Sequence, residues 1–115
     1  MQVSEQNLID DLSAMVRIPS VNTFGNSDPK RPAEEEMAQF FEARMKEIGL
    51  DVSSAHVADG RRNVWGRLRG TGNGPTIMLA GHLDTVGVPG YENPFEPTIK
   101  DGRIHGRGSC DMKAG

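Results

Sequence analysis

The residues best suited to chemistry are His82, Asp84 and Asp111. His82 and Asp84 stand two apart at the end of the apolar run in "LAGHLDTVGV", residues 79–88. Residues two apart on an extended chain point to the same side, so an imidazole and a carboxylate can face one space there. Histidine is the commonest protein metal ligand, through a neutral ring nitrogen. A ligating imidazole usually donates its other N–H to a carboxylate or carbonyl, which fixes its tautomer and orientation. His82 as ligand with Asp84 behind it has that form. Asp111 lies in "GRIHGRGSCDMKAG", where Gly106 and Gly108 permit a sharp turn and close backbone approach. A carboxylate at such a turn can bridge two divalent cations about 3.5–4 Å apart. Each signal alone has a plainer explanation. A His-x-Asp pair at a strand end is more often solvated or bonded to backbone, and Asp111 could simply cap a helix beginning at "MKAG".

The remaining polar residues carry less. Cys110 adjoins Asp111, and neighbours on an extended chain point opposite ways, so the two do not easily face one ion. His105 falls in a hairpin and His56 in a strand without an acidic neighbour. Glu34, Glu35 and Glu36 read as the solvated start of a helix. The glycines around Gly70 and Gly72 are not a phosphate loop: no Lys-Ser/Thr pair follows and the GxGxxG pattern is absent.

The elements that would position these groups follow from periodicity. Leu8, Ile9, Leu12, Met15 and Val16 recur at helical spacing over residues 4–17, Ser4 can cap the start, and Pro19 turns Ile18 out of the helix. A turn-rich loop, "PSVNTFGNSDPKRP", leads to a second helix at about 33–48. Pro32 lies near its first turn, Met37, Phe40, Phe41, Met45 and Ile48 form its stripe, and Gly49 stops it. "DVSSAHV" and "NVWGRLRG" predict strands joined by a hairpin turn at "ADGRR", and Asp101-Gly102 predicts a second tight hairpin in "TIKDGRIHG". "TIMLAG", residues 76–81, is continuously apolar, the pattern of a strand buried on both faces. In open α/β sheets ligands bind at the carboxyl ends of such strands. Mixed helices and strands with one of parallel character predict an α/β layered domain.

The chain has 115 residues, enough for one domain or part of one, and its 36% hydrophobic content is not that of a disordered segment. A net charge of −3 gives no basic surplus for nucleic acid or an anionic membrane. A single cysteine excludes an internal disulfide and suits a reducing compartment. The N-terminus lacks the basic and apolar regions of a signal peptide. No apolar run approaches the ~20 residues that span a bilayer. A soluble, cytoplasmic protein is expected.

Together the two clusters are more specific than either alone. "GHLDTV", followed 27 residues after its Asp by "DMKAG" with "DGRIHGRGSCD" leading in, resembles the zinc metallopeptidase family of acetylornithine deacetylase, succinyl-diaminopimelate desuccinylase and glutamate carboxypeptidase. "LSAMVRIPSVN" and "MAQFFEARMKEIGL" are similar to that family's N-terminal region, so the resemblance covers nearly the whole chain; Ala114 departs from the family's usual Gly. The resemblance implies a three-layer α/β/α catalytic domain with a mixed sheet, of which residues 1–115 are the N-terminal part. It implies His82 as ligand of one zinc, Asp111 as the carboxylate bridging two, and Asp84 as the group clamping the imidazole, with cobalt or manganese able to replace zinc. It also implies a cis peptide after Asp111. The implied reaction is hydrolysis of an amide in an N-acyl amino acid or small peptide by metal-activated water, with a glutamate as general base. That glutamate, the other ligands and the lid or dimerisation domain lie downstream of "DMK" in the family, so an inactive N-terminal fragment is expected here, with a homodimer compatible with the parent. The alternative is a small α/β binding or interaction module, or a decayed gene product, whose polar cluster is structural.

Overall fold

A computed structural model describes residues 3–22 and 34–115. Helix α1 spans Glu5–Arg17. Ser4 caps it, its hydroxyl accepting the Asn7 N–H at 3.1 Å, with Glu5 in the first turn and Arg17 in the last as the helix dipole favours. Ile18, before Pro19, is extended at φ −87° and ψ 111°. Helix α2 spans Glu35–Glu47. It ends in a Schellman turn: Gly49, at φ +86°, donates to Lys46 O and Leu50 donates to Met45 O. The expected role of Pro32 lies outside the described residues.

Strands β1, Asp51–Ala58, and β2, Arg61–Arg67, form an antiparallel hairpin with a register irregularity between His56 and Ala58. Strands β3, Thr98–Lys100, and β4, Arg103–His105, form a second hairpin. Both of its turn residues have positive φ, 52° at Asp101 and 70° at Gly102, the backbone of a type I′ turn. Both hairpins lie where the sequence predicts them. Helix α2 packs on the first: a Cβ on Gly66 would stand 2.7 Å from Leu50 Cδ1 and 3.1 Å from Met45 Sδ. Arg62 reinforces this packing, reaching Glu42 at 2.7 Å and Glu35 at 3.2 Å with its side chain 11% exposed. Arg44 joins α2 to α1 through Asp11 at 2.9 Å. Two of the three carboxylates expected at a solvated helix start are therefore paired: Glu35 with Arg62, and Glu34 with Arg61 at 3.3 Å. Helical periodicity could not reveal those partners, which come from a different element.

The segment 76–81 departs from expectation. It joins no strand ladder, and Ile77, Met78 and Leu79 are 82%, 85% and 94% exposed. An apolar run encodes a demand for neighbours on both edges and faces, and no described residue supplies them. Among the described residues the sheets are two antiparallel pairs, and parallel pairing is confined to one bridge, Val21 with Thr85. The helix expected to begin at "MKAG" is instead a run of turns through Ala114. These elements are those of a small α/β structure. No helix among the described residues is long and apolar enough to cross a membrane.

Candidate metal centre

The site is assembled by short contacts between distant segments. The parallel bridge sets residues 20–22 beside 84–86: Thr85 N–H donates to Ser20 O at 2.8 Å and Asn22 N–H to Thr85 O at 2.7 Å. Thr85 is 2% exposed and Ser20 fully buried, so this pairing is interior to the fold. It holds the strand-like end that carries His82 and Asp84. Asp111 rides on the turn 108–113, closed by Lys113 N–H donating to Gly108 O at 2.9 Å. The turn is anchored by the Lys113 ammonium, which donates to Met15 O and Ile18 O at the end of α1, both at 2.8 Å. Lys113 is 6% exposed, and burial pushes its pKa down to about 8. Met112 ties the turn to the other segment: its Sδ accepts the His82 N–H at 3.2 Å, and its methyl lies where a Cβ on Gly81 would come within 2.8 Å. The Asp111–Met112 peptide is cis, as the resemblance implies.

These segments bring the three predicted residues together. His82 Nδ1 faces Asp84 Oδ1 at 3.0 Å and Asp84 O at 2.9 Å, while Nε2 faces Asp111 Oδ1 at 3.1 Å. A carbonyl and a carboxylate only accept, so Nδ1 carries a proton. Nε2 then needs a proton or a cation between itself and Asp111. With a proton there, the Asp111 hydrogen bond holds the imidazole above its ordinary 6.5, and the Asp84 carbonyl and carboxylate add to the effect against desolvation. Asp111 does not cap a helix, since a run of turns follows it.

The donor set suits a divalent ion at Nε2. Zinc bonds of about 2.0–2.2 Å at tetrahedral angles place two ligand atoms about 3.3–3.6 Å apart. The Nε2 to Oδ1 separation, 3.1 Å, is a hydrogen-bond length a few tenths of an ångström short of that, so a small opening would admit an ion, and Asp84 stands behind the ring in the position of an orienting carboxylate. The Asp111 side chain is 85% exposed and that of His82 47%, so the pair opens to solvent. Among the described residues no group of three or more His, Cys, Asp or Glu converges as a cage. Asp84 faces the opposite ring nitrogen rather than the same point in space. Cys110 is exposed, as are His56 on β1 and His105 on β4.

Sequence reasoning missed a polar chain behind Asp84. Asn22 Nδ2 donates to Asp84 Oδ2 at 2.8 Å, Arg61 donates to Asn22 Oδ1 at 2.8 Å, and Glu34 pairs with Arg61. Burial raises the Glu34 carboxyl, Arg61 draws it down, and the Asp84 charge pushes it up. The 62 residues between Asn22 and Asp84 hid this contact from any local pattern. Residues 78–115, the segment holding His82, Asp84 and Asp111, match the model of Peptidase family M20/M25/M40.

Proposed function

We propose that residues 1–115 are the N-terminal part of a three-layer α/β/α zinc-peptidase-like catalytic domain, and that the whole protein hydrolyses an amide bond in an N-acyl amino acid or small peptide. The observation that carries this is the double engagement of His82, with Asp84 at Nδ1 and Asp111 at Nε2. His82 and Asp111 would hold the metal, zinc by preference with cobalt or manganese as substitutes. Such a centre, when bound, polarises a carbonyl and lowers the pKa of water toward about 7. His82 presents Nε2 to it, Asp84 keeps the other ring nitrogen protonated, and the exposed Asp111 carboxylate leaves room for a second ion. Further ligands and a general base come from outside the described residues, so the 115-residue chain alone is expected to show no hydrolysis of N-acyl amino acids. Chelator-sensitive turnover by the isolated chain would overturn that part.

The direct test is metal binding. Cobalt titration of the chain, followed by its d–d absorption, and zinc competition with a chromogenic chelator should show a site that H82A and D111A each abolish. The exposed strip Ile77, Met78 and Leu79 favours a second reading, an α/β interaction module with a structural polar cluster. In that case H82A leaves zinc content unchanged.

A further inference from the structure

We propose that Asn22, oriented by Arg61, is a positioning residue that fixes the Asp84 carboxylate against His82; the inference rests on the metal-centre reading above. Asp84 has two oxygens with different tasks: Oδ1 faces His82 Nδ1 at 3.0 Å and Oδ2 accepts from Asn22 at 2.8 Å. A carboxylate held at one oxygen alone can swing about χ2, whose terminal torsion is broad. Held at both, it presents Oδ1 to the ring in one orientation. The direction of every bond in the chain is forced. Arg61 has no acceptor, so the Asn22 carbonyl must face it, and the Asn22 amide must then face Asp84, which only accepts. Glu34 holds Arg61 from the far side at 3.3 Å.

The placement depends on the backbone as well. Asn22 N–H donates to Thr85 O, so the residue that steadies Asp84 is bonded to the residue next to it in sequence. Asn22 therefore moves with the Asp84 segment rather than reaching it across a gap. Arg61 begins β2, and through it the α2–hairpin unit bears on a site that none of its own residues enters.

The Asp84 carbonyl also accepts from Nδ1, at 2.9 Å. Asn22 therefore governs the carboxylate share of that interaction and not the whole of it. Outer partners of metal-bound imidazoles contribute about 10–100-fold in metal affinity. A change at Asn22 is expected at the lower end of that range, about tenfold, because the carbonyl contact persists.

The test is a double-mutant cycle on the 115-residue chain, with two readouts. N22A removes the amide, and the isosteric N22D keeps the shape and the Arg61 contact while turning the donor into an acceptor. In the metal-free chain, the hydrogen-bonded His82 Nδ1 proton is followed by NMR. It should shift upfield in N22A and N22D, with D84A shifting it further. Cobalt or zinc affinity should fall about tenfold in N22A when Asp84 is present and by less than twofold in a D84A background, since the effect passes through Asp84. R61M should reproduce part of the loss and R61K restore it. Equal losses in both backgrounds, or an unmoved proton in N22D, would overturn the proposal. If the unmutated chain takes up no metal, the metal-centre reading fails, while the proton shift still decides the role of Asn22.

Discussion

Replacing Gly108 by alanine would measure how tightly the Asp111 turn is packed. Gly108 has φ +82°, and a Cβ there would stand 2.7 Å from Thr85 Cγ2 and 3.0 Å from Lys113 Cδ and Cε. Neither neighbour can withdraw. Thr85 is 2% exposed and bonded to Ser20 and Asn22 through its backbone, and Lys113 is 6% exposed with its ammonium fixed on α1. An alanine in left-handed backbone costs about 1–2 kcal/mol, and overpacking adds about 1–3 kcal/mol. G108A is therefore expected to lose about 2–5 kcal/mol of stability. Gly102 supplies the control, with φ +70° and nothing within 4 Å of an added Cβ. G102A should show the conformational cost alone, about 1–2 kcal/mol. Urea unfolding of the two variants beside the unmutated chain, at unchanged slope, gives the difference. A G108A chain already unfolded in buffer, with G102A folded, would meet the expectation. Equal losses in the two variants would refute it.

Two further outcomes follow from the same geometry. In chelator-treated protein His82 should titrate above 6.5, and D111N should bring its midpoint down, because Asp111 is the main cause of the rise. As the folded value exceeds the unfolded one, the stability this contact adds is complete below the unfolded value and is lost as pH rises through the folded one. NMR titration of the ring protons checks this, and an unmoved midpoint in D111N would count against it. L79K, at a side chain 94% exposed, should change stability by no more than about 0.5 kcal/mol. A loss of about 2–5 kcal/mol would instead mean that residues 76–81 are packed as core.

Local pattern carried the helices and hairpins because their determinants are local. Ser4, Pro19 and Gly49 mark boundaries within a residue or two of where the structure puts them, and Asp101-Gly102 sets its turn through its own backbone. Residue type and spacing marked His82, Asp84 and Asp111 as candidates and the resemblance supplied their expected roles, but their meeting was not legible. His82 and Asp111 are 29 residues apart, and only folding closes that distance. Asn22, Arg61 and Lys113 were invisible for the same reason. Each looks like an ordinary surface residue, and each acquires its role from a partner 39 to 98 residues away. The apolar run 76–81 shows the converse: its composition states what it would pack against, and the described residues do not include it.

The Lys113 anchor also orders events in time. Its bonds to α1 span 98 and 95 residues, whereas the helices and hairpins close over a few residues each. Closing a long loop costs entropy before any contact repays it, so such pairings form after local ones. The helices and the two hairpins can therefore assemble while the Asp111 turn is still unattached. The His82–Asp111 contact spans 29 residues, so it can form before the ammonium docks against the two carbonyls at the end of α1. Docking of the ammonium then ties the imidazole–carboxylate pair to the carbonyl end of the first helix, so a local contact becomes part of the fold as a whole.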